Sequence, residues 1–155
     1  SLERELDAIR AAARQLPRRA RVFFREWEGP LISAIRWVEE LVEIAGGDPI
    51  FPEVPDAKLG KGRIVTSEEV LRRAPEVVVA SWCGKAVQAK KIAARPGWAD
   101  VPAVRSGRIH EIKSAYILQP GPAALTEGVR QLHDIIRAAA SDAPDGSPAS
   151  DAGNA

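Results

Sequence analysis

An α/β domain with a mostly parallel central sheet flanked by helices is the fold that this 155-residue sequence predicts, on three observations. Strand-like apolar runs alternate with helix-period segments along the chain. One run, Val77-Val78-Val79-Ala80, is uninterrupted, as in a strand covered on both faces. Loops containing glycine or proline follow the strands and lead into helices, as parallel crossover units require.

The first segment places Leu2, Leu6, Ile9, Ala13 and Leu16 on one helical face, and Pro17 ends it because proline cannot continue the hydrogen-bond ladder. No clear cap opens this helix. Arg21-Val22-Phe23-Phe24-Arg25 reads as a short strand. Glu26-Trp27-Glu28-Gly29 is a loop, and Pro30 suits the first turn of a helix that runs to about Ala45 and stops at Gly46-Gly47. Asp48 to Arg63 is a connection. Thr66-Ser67-Glu68-Glu69 fits a capping box, with Thr66 as N-cap and Glu69 reaching back to it, and the short helix ends near Ala74-Pro75.

After the strand at Val77 to Ala80, Trp82-Cys83-Gly84 turns into a helix from about Lys85 to Arg95. Val101 to Val104 and Ile109 to Ile112 flank the turn Ser106-Gly107-Arg108, and Ile109 to Ile112 gives the last strand. Ser114 to Pro122 reads as a loop before a final helix, roughly Ala123 to Ala139. Small polar residues broken by Pro144 and Pro148 make 141–155 a disordered tail.

Composition narrows the function classes. With 45% apolar and 28% charged residues the chain falls among globular domains, and its length suffices for one core. A net charge of +1, with acids and bases interleaved, gives no reason to invoke nucleic acid or an acidic membrane. The one basic cluster, Arg18-Arg19-Ala20-Arg21, reads as a solvated loop. Cys83 is the single cysteine, so no intrachain disulfide forms and the redox compartment stays open. No apolar run is long enough to span a bilayer, and the residues from Ser1 onward read as neither signal peptide nor lipidation site.

Open α/β sheets bind ligands beyond the carboxyl ends of their strands. Three loops follow those ends: Glu26-Trp27-Glu28-Gly29-Pro30, Ser81-Trp82-Cys83-Gly84, and the stretch around Tyr116. Each carries an aromatic ring although aromatics make up only 5% of the chain, and flat rings suit a broad planar ligand. Trp27 and Trp82, with polar and glycine-containing flanks, fit ligand contact; Trp37 fits core packing, Trp98 anchors a loop, and Tyr116 fits either role.

Catalysis finds little support. Cys83 would need a base, and neither His110 nor His133 stands in a motif relation to it. One cysteine and two histidines match no zinc ligand pattern, and Gly60-Lys61-Gly62 is not a phosphate loop, since it follows no strand and opens no helix. Glu26 and Glu28 read as solvated or partner-facing carboxylates. The capping role accounts for Glu69 and leaves Glu68 available to a partner.

An ordered series of segments resembles one family. Glu26-Trp27-Glu28-Gly29-Pro30-Leu31-Ile32-Ser33, continuing to Ala45-Gly46-Gly47, is similar to the second-lobe segment of cobalamin-type periplasmic substrate-binding proteins of ABC transporters. Val65-Thr66-Ser67-Glu68-Glu69-Val70-Leu71, Arg95-Pro96-Gly97-Trp98, Val101-Pro102-Ala103-Val104, Ser106-Gly107-Arg108 and Gln119-Pro120-Gly121-Pro122 continue it in order.

The resemblance implies a single Rossmann-like lobe at 18–140, the carboxy-terminal ligand-binding one. Residues 1–17 would be the end of a long helix bridging it to an absent first lobe, so that the chain is a fragment, a truncated product or a natural half-protein. It further implies that Glu26, Trp27, Glu28, Pro30, Trp82, Cys83, Gly84 and Tyr116 face the ligand. Glu68, with Glu69 as second choice, would dock on arginines of an ABC permease, and the location would be periplasmic or otherwise extracytoplasmic. The cargo would be cobalamin or a related corrinoid, with haem or a ferric siderophore as alternatives, and no resident cofactor or metal is expected. A stand-alone self-associating lobe, and last a small enzyme using Cys83, complete the alternatives.

Overall fold

A computed structural model of the chain describes residues 2–25, 31, 36–53, 64–81, 89–118 and 121–141. Helix α1 (Leu2–Arg14) leads to strand β1 (Arg21–Arg25), helix α2 (Arg36–Ile44) and the two-residue strand β2 (Asp48–Pro49). Helix α3 (Ser67–Arg73), strand β3 (Val77–Ala80) and helix α4 (Ala89–Ala93) follow. A 3-10 turn at Trp98–Asp100, helix α5 (Pro102–Arg105), strand β4 (Ile109–Glu111), helix α6 (Ser114–Ile117) and helix α7 (Val129–Ala140) complete the order, α7 being entered through a π-helical turn at Ala124–Gly128.

The four strands form one parallel sheet in the order β2-β1-β3-β4. Alternation along β1 and β3 divides the core between the two faces. Val22, Phe24, Val77 and Val79 pack with Val38, Leu41 and Val42 of α2 and Val129, Leu132 and Ile136 of α7. Phe23, Val78 and Ala80 point the other way, to Val70 of α3, Ile92 of α4 and Trp98. The result is the predicted α/β layering, with both faces of the sheet covered. Leu6, Ile9 and Leu16, from α1 and the turn after it, lie against the first of these clusters. Among the described residues no helix is long and apolar enough to cross a membrane.

The stop after α2 falls at Gly46, whose φ of +102° favours glycine, and a Cβ there would come within 2.6 Å of Leu16 Cδ1. His133 is buried on α7, its Nδ1 2.9 Å from the Ala45 carbonyl, a packing role.

Four sequence expectations change. The pair flanking Ser106-Gly107-Arg108 is a helix and a strand: Pro102 takes the first turn of α5, and only Ile109–Glu111 joins the sheet. The expected loop at Ser114 to Pro122 contains the helical turn α6. The connection from Asp48 contains β2, which exists only because Arg21 and Val22 offer it partners.

The cluster Arg18-Arg19-Ala20-Arg21 is not a solvated loop. Arg18 donates to the Ala139 carbonyl, Arg19 to those of Glu43 and Gly47, and Arg21 to that of Ala74. Guanidinium groups here satisfy carbonyls at the ends of α2, α3 and α7, which have no partner within their own helices. Ala20 between them is fully buried. The expected tail from 142 onward lies outside the described residues.

Candidate ligand crevice and docking edge

β1 and β3 are neighbours, yet the chain leaves them in opposite directions, from β1 to β2 on one side and from β3 to β4 on the other. Such a reversal opens a crevice beyond the carboxyl ends of the two central strands. Arg25 and Ser81 mark that point, with the Ser81 amide donating to the Arg25 carbonyl at 2.9 Å. Both side chains are buried, and the Ser81 hydroxyl has no hydrogen-bond partner among the described residues. Glu26, Trp27, Glu28 and Pro30 follow Arg25 in sequence, and Trp82, Cys83 and Gly84 follow Ser81; all of these lie outside the described residues.

The third loop opens on the same edge. β4 ends at Glu111, paired with Ala80, and the Ile112 amide donates to the Ala80 carbonyl at 3.1 Å. Tyr116, on α6, is 40% exposed and available for contact. Its backbone is held by a close approach that sequence reasoning missed: a Cβ on Gly128 would lie 2.1 Å from the Tyr116 carbonyl oxygen. A glycine inside an apparent helix was the available signal. His110, half-buried on β4, has its pKa pushed down by burial and then by the charge of Arg108.

Helix α3 begins on the same edge of the sheet. A helix connecting two parallel strands runs antiparallel to them, so its amino end lies by the carboxyl ends of the strands. Just before α3, the Val65 amide donates to the Leu31 carbonyl at 2.8 Å, tying the helix start to the segment after β1. Thr66 is the N-cap, its Oγ1 accepting from the Glu69 amide at 3.1 Å. The other half of the capping box does not form, because the Glu69 carboxylate takes Arg72 and Arg73 instead. Glu68 is exposed and makes no ion pair among the described residues. Of the two proposed docking carboxylates, Glu69 is already engaged and Glu68 is available.

Arg73 also chelates Glu53 through both guanidinium nitrogens, at 2.8 and 2.6 Å. These hydrogen bonds, above all, hold the Glu53 pKa down at about 2. A depressed folded pKa contributes stability above the ordinary carboxylate value of 4.5, and that contribution is lost as pH falls from there through about 2. With Glu53 54% exposed, solvent screening keeps the gain small. An NMR titration is expected to show the Glu53 midpoint near 2 in the native chain and raised toward 4.5 in Arg73→Ala, where the backbone hydrogen bond and the Arg72 charge still hold it somewhat down. Equal midpoints would mean that the chelate does not persist in solution.

Trp98 is fully buried, and its Nε1 donates to Ser67 Oγ at 2.7 Å, so the expected loop anchor is also a support for α3. Trp37 is half-buried against the core, as expected. A cleft of about 560 Å³ lined by Arg21, Asp48, Ile50, Glu53 and Arg73 lies beside the amino ends of β1 and β2, away from this edge.

A four-stranded parallel sheet in this order, with helices on both faces, defines an open α/β lobe with a topological switch point between β1 and β3. The sequence profile described as periplasmic binding protein matches residues 1–116, and the chain belongs to that family. No curated protein matches the sequence.

Among solved structures, the periplasmic heme-binding protein of Roseiflexus sp. RS-1 aligns with a TM-score of 0.71 and 25% identity over 90% of this chain and 54% of that one. The periplasmic vitamin B12 binding protein of Vibrio cholerae gives 0.65 and 23% over 88% and 51%. A possible iron-binding periplasmic solute-binding protein of Staphylococcus epidermidis ATCC 12228 gives 0.73 and 21% over 87% and 52%. The chain thus spans about half the length of the structures it matches. The resemblance read from the sequence segments is borne out at the level of family and fold.

Proposed function

We propose that this chain is the carboxy-terminal lobe of the solute-binding component of an ABC importer, and that the whole protein captures a large metal chelate between two lobes. The observation that carries this reading is the switch point: the two tryptophan-bearing segments expected to contact ligand follow the two strands that meet there. Corrinoid is the first candidate cargo. Haem and ferric hydroxamate are supported equally by the neighbours, whose names include heme, vitamin B12 and Fe3+-hydroxamate transport. Residues 1–17 are the end of the interlobe helix, and residues 18–140 are the lobe.

The chemistry is recognition. Trp27, Trp82 and Tyr116 supply flat apolar area, Glu26, Glu28 and the segment from Cys83 to Gly84 line the crevice, and no bond-making step is needed. Glu68 pairs with an arginine of the permease, an exposed carboxylate at a helix start being suited to that contact. The protein works outside the cytoplasm.

Calorimetric titration of cyanocobalamin, haemin and a ferric hydroxamate, into this chain and into a two-lobed form carrying an upstream lobe, tests the proposal. One of the three is expected to bind the two-lobed form tightly and this chain more than about tenfold less well, since one lobe supplies only part of the contacts. No heat with any of the three in either form would overturn the chelate reading.

A further inference from the structure

The seven residues of α3 are too few to form a stable helix unaided, so tertiary contacts must set the direction in which Glu68 points. Two anchors provide them. At the first turn, the Trp98 indole N–H donates to Ser67 Oγ, and the ring packs 6.5 Å from Phe23. At the last turn, Arg73 donates to the Ile50 carbonyl at 2.6 Å, chelates Glu53 and lies 4.4 Å over the Phe51 ring. Phe51 in turn meets Phe23 edge-on at 5.7 Å. Both anchors therefore end on the same residue of β1, the strand whose carboxyl end opens on the ligand crevice.

We propose that Trp98 and Arg73 are positioning residues for permease docking, holding α3 so that Glu68 keeps a fixed place relative to the crevice. This rests on the reading of Glu68 as the docking carboxylate. A carboxylate on a flexible side chain pairs well with a guanidinium only where its backbone is placed beforehand, because ordering it on contact costs affinity. Trp98 is fully buried and cannot touch a permease, so any effect of altering it must pass through α3.

The test is binding of the full chain to its cognate permease in nanodiscs, comparing wild type, Glu68→Ala, Trp98→Phe and Arg73→Lys. Near-UV circular dichroism reports whether each variant is folded. Trp98→Phe keeps an aromatic ring and removes the N–H; Arg73→Lys keeps the charge and removes the fork. Glu68→Ala is expected to abolish docking, and the other two to weaken it about fivefold while remaining folded. Wild-type docking by both, with Glu68→Ala defective, would overturn the positioning role and leave the docking assignment standing. Wild-type docking by Glu68→Ala would remove the assignment and the proposal with it. Should Trp98→Phe fail to fold, Arg73→Lys decides alone, its anchor being partly solvent-exposed.

Discussion

Gly128→Ala is expected to destabilise the lobe by about 1–3 kcal/mol, although the same change in an ordinary helix interior would stabilise it by up to about 1 kcal/mol. The backbone at Gly128 is helical, with φ −61°, so alanine brings no conformational strain there. The difficulty is space: the added carbon would stand 2.1 Å from the Tyr116 oxygen and 3.0 Å from Ile117 Cδ1, where real Cβ atoms essentially never approach within 3.0 Å. The nearer obstacle is a backbone carbonyl and cannot rotate aside as a side chain would. Either α7 or α6 must shift, and Ile117 and Val129, both wholly buried, resist it. Thermal unfolding should show a midpoint lowered by several degrees, with Tyr116 displaced. An unchanged midpoint would mean that α6 yields freely and that Tyr116 is not fixed by this contact.

That contact shows why part of the structure was legible in the sequence and part was not. β1, β3 and α3 announce themselves through local patterns, a run of strand-formers and a cap, and the structure has them where the patterns place them. β2 is two residues long and owes its existence to β1, so no local signal carries it. Val101 and Val104 favour strands by composition, yet Pro102 sits where a helix begins and the Ala103 amide is taken by the Pro75 carbonyl.

Side-chain partners were harder still. Glu69 satisfied a capping pattern on paper but found two arginines within its own helix, which attract a carboxylate more strongly than one backbone amide. For the candidate site, the loops could be named from strand ends alone. That two of them share a switch point required the strand order, a property of pairing between distant segments.

The arginine cluster makes the same point with a comparable expected effect: Glu76→Ala should cost about 2–3 kcal/mol, less than breaking a wholly buried pair, because the Arg18 and Arg21 side chains left behind are 21% and 35% exposed. By position Glu76 is an unremarkable polar residue between Pro75 and the strand. In the fold its side chain is 2% exposed, and Oε1 accepts from the Arg21 amide at 2.9 Å. Its carboxylate meets the guanidinium groups of Arg18 and Arg21. Arg18 also reaches the Ala139 carbonyl near the end of α7, and Arg21 that of Ala74 after α3, so one carboxylate joins the start of β1 to helices on both faces of the sheet.

Alanine would leave positive charge beside the core without its counter-charge and an amide without its acceptor. Glu76→Gln, which keeps the shape and an acceptor while losing the charge, should fall between wild type and alanine. Urea unfolding of the three proteins separates the contributions: the step from wild type to glutamine reads the charge, and the step from glutamine to alanine reads the hydrogen bond and packing. If the alanine variant instead matched wild type within about 0.5 kcal/mol, as surface substitutions do, Arg18 and Arg21 would be the solvated side chains that their sequence context suggests.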